Sequence, residues 1–89
     1  MKRSYLEVTY RKGRALAAYY YLPRQDGDKS VRTEQAKGGL LVDFTRDGRA
    51  IGIEITSPSH LDLPSLNEVL ARLGQRPARA EDVAPLVAA

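Results

Sequence analysis

Apolar and polar positions alternate with the period of extended strands through residue 55, then switch to a helical period from Leu63 onward. The clearest strand signal spans residues 38–55. Asp47-Gly48 reads as a two-residue hairpin turn, since Gly tolerates the positive φ of a type I′ loop and Asp tolerates it better than most residues. Centred there, the turn sets Phe44 opposite Ile51, Val42 opposite Ile53 and Leu40 opposite Ile55, and leaves Leu41, Asp43, Gly52 and Glu54 on the reverse face. Gly52 inside a strand marks a bulge or the close approach of another backbone.

A second hairpin precedes it. Leu6, Val8 and Tyr10 alternate with Glu7, Thr9 and Arg11, and Lys12-Gly13 offers a turn before residues 15–22. A two-residue loop there pairs Tyr10 with Ala15, Val8 with Ala17 and Leu6 with Tyr19. Residues 31–36 form a weaker, more polar strand, and Gly38-Gly39 turns the chain into the main hairpin. Residues 23–30 are the one long polar connection and the segment expected to be most mobile.

From Leu63 the apolar positions Leu63, Leu66, Val69, Leu70 and Leu73 predict a helix over residues 63–73. Ser65 and Glu68 match a capping box, and Asp62 is the alternative cap if Leu63 and Pro64 open the first turn. Gly74 is the natural stop, with Pro77 beyond it. Residues 81–86 predict one or two further turns, and the uncharged stretch 83–89 is expected to dock. These elements make one domain: sheet 4–55, helix 63–73 and tail 78–89. The expected fold is α+β, an antiparallel meander of four or five strands with the amphipathic helix across one face. The expected covered face holds Leu6, Val8, Tyr10, Ala17, Tyr19, Val42, Phe44, Ile51, Ile53 and Ile55.

Composition narrows the chemistry. At 89 residues the chain is close to the limit for a self-sufficient core. With no cysteine it has no disulfides, zinc ribbons or thiol nucleophiles, which fits a reducing, cytoplasmic setting. Its basic start, Met1-Lys2-Arg3-Ser4, leads into alternating polarity rather than an apolar signal region, so neither a leader nor a membrane span is expected. The net charge of +3 is uneven: residues 1–49 carry 11 basic and 6 acidic side chains, and residues 50–89 carry 3 and 5. The basic half could attract nucleic acid, though ordinary surfaces show similar bias.

The stretch Gly39-Leu40-Leu41-Val42-Asp43-Phe44, followed by Asp47-Gly48-Arg49-Ala50-Ile51-Gly52-Ile53-Glu54-Ile55, resembles the core of the bacterial family known as domain of unknown function 2283. A looser likeness covers residues 10–22, where Arg11 and either Arg14 or Ala15 stand in place of the family's two acidic residues. The resemblance implies a small bacterial α+β domain of undetermined activity. Some members sit beside small toxin-like proteins, which implies an antitoxin or partner role.

No residue set makes a convincing enzyme. Asp43 and Glu54 are diagonal neighbours in the expected register, but two carboxylates are a poor metal site, and solvation or pairing with Arg32 or Lys37 explains them. His60 follows Ser59 without an orienting acid, so a loop or helix-entry role outweighs a catalytic one. Asp26-Gly27-Asp28 resembles part of a calcium loop, but Lys37 falls at the twelfth position, which favours a solvated turn. No cofactor is expected.

Two binding surfaces remain. Leu16, Ala18, Tyr20, Leu22 and Leu41 fall together on the reverse face as an apolar strip that one helix cannot also cover. The strip favours a homodimer or a small protein partner, unless Val83, Leu86 and Val87 of the tail wrap over it. Arg11, Lys12 and Arg14 crowd a hairpin tip, with the Lys37 turn at the same sheet end. With Tyr5 and Tyr20 on the reverse face they form the alternative, a nucleic-acid surface. The expected function is thus a non-enzymatic protein-interaction module.

Overall fold

A computed structural model describes residues 3–87, with Val87 described in its backbone only. Five antiparallel strands, β1 (Tyr5–Arg11), β2 (Arg14–Tyr21), β3 (Arg32–Ala36), β4 (Leu40–Phe44) and β5 (Ala50–Ile55), form one sheet in the order β1-β2-β5-β4-β3. Helix α1 (Leu63–Arg72) and a short helix α2 (Ala84–Val87) follow, making an α+β fold. The order departs from sequential stacking. β3, β4 and β5 run as a meander, and the β1–β2 hairpin docks on β5, so the weakly apolar β3 is left at an edge.

The first hairpin turns as its sequence requires. Lys12 and Gly13 both have positive φ, 53° and 78°, and Tyr10 pairs with Ala15. Beyond that pair the register slips: Thr9 faces Ala17, Val8 faces Ala18 and Leu6 faces Tyr20, leaving Leu16 as an extra residue on β2. Such a bulge inverts every later side chain on its strand. Ala18, Tyr20 and Leu22 therefore point into the core at 4%, 3% and 0% exposure, and Leu16 stands out at 56%. The expected core residues Ala17 and Tyr19 move to the other face, and Tyr10 stays exposed at its edge.

The second hairpin reaches its expected pairing by another route. A type I turn closes at Gly48, whose N–H donates to the Thr45 carbonyl at 3.0 Å, and Gly48 takes φ 88°. This three-residue loop with glycine in the left-handed region replaces the expected type I′ turn, because Asp47 keeps negative φ. Phe44 then faces Ala50 rather than Ile51, and Ile51 is the bulge residue that restores Val42–Ile53 and Leu40–Ile55.

One face of the sheet is covered. Leu66, Val69 and Leu70 of α1 share a buried cluster with Leu40, Val42, Ile53 and Ile55. Ala78, Val83 and Leu86 of the tail join the same cluster beside Ala18, Tyr20 and Leu22. The Ala80–Val83 turn lies against β1. Helix and tail thus divide a single face between them. The expected docking of residues 83–89 is met by Val83 and Leu86, while the Val87 side chain, Ala88 and Ala89 lie outside the described residues. Asp62 caps α1 through its carboxylate, which accepts from the Ser65 N–H at 2.7 Å, so the alternative cap is the one used. Gly74 ends the helix at φ 70°, with Gln75 N–H donating to the Leu70 carbonyl at 2.9 Å.

The polar connection 23–30 is pinned rather than loose. Arg49 holds the Asp28 carboxylate with both terminal nitrogens, at 2.9 and 2.8 Å, and Gln25 N–H donates to Asp28 at 2.8 Å. The Arg49 bonds, then the Gln25 N–H, lower the Asp28 carboxyl to about 2. Asp28 is an ion-pair anchor and not a solvated turn residue.

Candidate functional site on the open sheet face

Among the described residues, no helix covers the opposite face. Its side chains stand in rows across the strands: Arg11 and Arg14 at the hairpin end, then Thr9 and Ala17, then Glu7, Tyr19, Glu54, Leu41 and Gln35, and last Tyr5, Tyr21, Gly52, Asp43 and Thr33. Tyr5 stacks on Tyr21 with ring centroids 4.5 Å apart, and Tyr19 meets Tyr21 edge-on at 4.7 Å. The Arg24 guanidinium sits 5.0 Å from the centre of the Tyr21 ring.

Gly52 is what lets this aromatic group lie flat. A Cβ built at residue 52 would fall 2.1 Å from the Tyr19 hydroxyl oxygen and 2.3 Å from ring carbons. The Tyr19 ring therefore crosses the glycine, and its hydroxyl donates to Asp43 Oδ2 at 2.7 Å. Of the two readings of Gly52, the bulge lies next to it at Ile51, and its close neighbour is a side chain rather than a backbone. Thr33 donates to the second Asp43 oxygen at 2.5 Å, and Tyr21 donates to Glu7 at 3.1 Å. Burial first, and then the Asp43 carboxylate, push the Tyr19 phenol above its ordinary range. Tyr19 is therefore a fixed donor at neutral pH.

This geometry reassigns the sequence-derived candidates. Ala18, Tyr20 and Leu22 are core residues, so the expected strip of Leu16, Ala18, Tyr20, Leu22 and Leu41 does not exist as a surface. Leu41 alone of the five remains on the open face, half-buried, and Leu16 projects from the bulge. The pairing of Tyr5 with Tyr20 is replaced by Tyr5 with Tyr21. Arg11, Lys12 and Arg14 are exposed at the hairpin tip as expected, but Lys37 at the same sheet end is bound to Glu68 at 2.8 Å.

Asp43 is engaged by Tyr19 and Thr33, whereas Arg32 pairs with Glu34, so the partners expected for the carboxylates are not the ones used. Glu54 is exposed. His60 is exposed at the end of a 3-10 turn, Pro58–His60, whose Pro58 is buried, with Ser59 Oγ 3.4 Å from its Nδ1. Among the described residues no three His, Cys, Asp or Glu side chains gather where they could hold a metal ion, and no helix is long and apolar enough to cross a membrane.

Tyr19, Tyr21 and Thr33 escaped the sequence reading. The available signal was a comparison of phases: residues 16, 18, 20 and 22 are Leu, Ala, Tyr and Leu, more apolar than Ala, Ala, Tyr and Tyr at 15, 17, 19 and 21. A strand that ends up central buries its greasier phase.

Fold and face define a class: a small α+β domain whose antiparallel sheet is sealed on one side and presents an aromatic, acid-bearing platform on the other. No family model matches the chain, and searches of curated proteins and of solved structures return no significant match.

Proposed function

We propose that the chain is a cytoplasmic, non-enzymatic interaction module that self-associates through the open face of its sheet. One observation carries the reading. Charge runs along that face from a basic end, Arg11 and Arg14, to an acidic end with Glu7, Glu54 and Asp43. A two-fold axis lying across the strands at the Thr9–Ala17 row brings the Arg11 of one copy over the Glu7 of the other. The same operation brings Arg14 toward Tyr19 and Glu54. An isologous contact needs this kind of self-complementarity. Tyr19, one row from that axis, supplies rigid aromatic contact area beside the charge pairs.

Nucleic-acid binding draws less support, because Tyr20 is buried and the exposed tyrosines share their face with three carboxylates that repel phosphate. The resemblance to domain of unknown function 2283 suits a non-enzymatic role and names the competing occupant, a small toxin-like partner.

The test is a charge swap read by light scattering. The parent is expected at dimer mass, and Glu7→Arg or Arg11→Glu alone weakens the dimer by about tenfold or more. The double variant, which re-forms both contacts in opposite sense, restores it. A parent that stays monomeric at high micromolar concentration overturns the reading, as does a double variant no better than the singles.

A further inference from the structure

On the covered side of the sheet, a polar cleft of ≈ 840 Å³ opens between the start of β1, the end of β2 and the chain that returns from α1. Arg3, Arg76 and Arg79 line it, with Ser4, Gln75 and the Tyr20 residue at its wall and one acid, Asp82. Among the described residues neither Arg3 nor Arg76 has a carboxylate partner. Arg79 reaches Glu81 at 3.4 Å and Asp82 at 3.7 Å, long pairs for a side chain that is 71% exposed. Three arginine residues thus line one concave surface, with Asp82 in its lining and Glu81 beside Arg79 as the nearby acids.

The cleft wall is built rather than incidental. Asn67 on α1 clamps the backbone of Ala78 in both directions: its side-chain amide donates to the Ala78 carbonyl at 3.1 Å, and the Ala78 N–H donates to its oxygen at 2.7 Å. Arg79 N–H donates to the Asp82 carboxylate at 2.8 Å, which turns that acid toward the backbone. The segment bearing Arg76 and Arg79 is therefore held at both ends, with Gly74 at the helix stop and the Ala80–Val83 turn beyond. A preformed wall removes ordering cost from a ligand's binding.

We infer that this cleft binds a compact, multiply charged phosphate anion of the pyrophosphate or polyphosphate class. Planar guanidiniums match phosphate oxygens with paired N–H donors, which favours such anions over halides or single carboxylates. The ring of Tyr20 is buried, so it presents no face on which a base could stack, which sets a small phosphate ligand ahead of a nucleic-acid strand.

Calorimetric titration of the full chain with inorganic pyrophosphate at low ionic strength tests the site. Binding is expected in the range of about 1 mM or tighter, weakened roughly tenfold by Arg76→Gln or Arg3→Gln and unchanged by Arg46→Gln, a residue of the β4–β5 turn that does not line the cleft. Three results overturn the inference: no heat with the parent, an equal loss in all three variants, or a short oligothymidylate that displaces pyrophosphate with the same Arg76 dependence.

Discussion

The two hairpins each carry one bulge, and the bulges have opposite consequences. In β5 the extra residue, Ile51, offsets a three-residue turn, so the strands above it stay in the phase a two-residue turn would have set. In β2 the turn already has two residues, so the extra Leu16 has nothing to offset and moves the rest of the strand to the other face. One bulge conserves a register and the other creates one. Leu16 is exposed at 56% and Ile51 at 2%, so the first bulge residue is packed by little and the second is part of the interior.

The contrast can be broken experimentally, beginning with the largest effect. Deleting Ile51 should remove a buried side chain and the offset together, costing at least about 2–5 kcal/mol and unfolding so small a domain in urea. Leu22→Ala, at a position set inward by the Leu16 bulge, should cost about 2–5 kcal/mol, against about 0.5 kcal/mol or less for Leu16→Asp. Were the faces arranged without the bulge, the order of those two costs would reverse.

Gly52→Ala should cost about 1–3 kcal/mol by forcing Tyr19 off its seat, and much less in a Tyr19→Ala background, which a double-mutant cycle would register as coupling. Deleting Leu16 should change stability by only about 1 kcal/mol, because Thr9–Ala17 and Tyr10–Ala15 then become ordinary adjacent pairs. A deletion within a central strand normally abolishes folding, so a well-folded variant with an unchanged circular dichroism spectrum would be strong support.

The smallest effect is a pH dependence. The Asp28 carboxyl is held at about 2 in the folded chain against 3.8 for the unperturbed group. On acidification the unfolded chain takes up this proton first. The contribution is complete above pH 3.8 and fades as pH falls toward 2, and Asp28→Asn should flatten the urea midpoint across that window.

Much of the fold was legible in the chain: α1 with its Asp62 cap and Gly74 stop, the Lys12-Gly13 turn, and the Val42–Ile53 pairing all follow from local chemistry. The candidate face was not, because its membership depends on a single unpaired residue. Bulges leave no consistent mark on apolar periodicity, and Leu16 adjoins a run of alanines and tyrosines that reads as half-buried in either phase. The placement of β2 beside β5 is a long-range choice that neither segment encodes alone. Tyr19 is carried to the open face by the same bulge and lies across Gly52, a contact between segments far apart in the chain.

The polar β3 sits at the rim of the sheet, where its backbone hydrogen-bonding groups are unclaimed on one side. Arg32 and Glu34, paired with each other there, place full charges along that rim, a feature that discourages strand addition from a neighbour. Growth by sheet extension would be open-ended and lead toward fibres. β1 is the other edge of the sheet, and the proposed two-fold contact through its broad surface would, unlike strand addition at either edge, close on itself and stop at two.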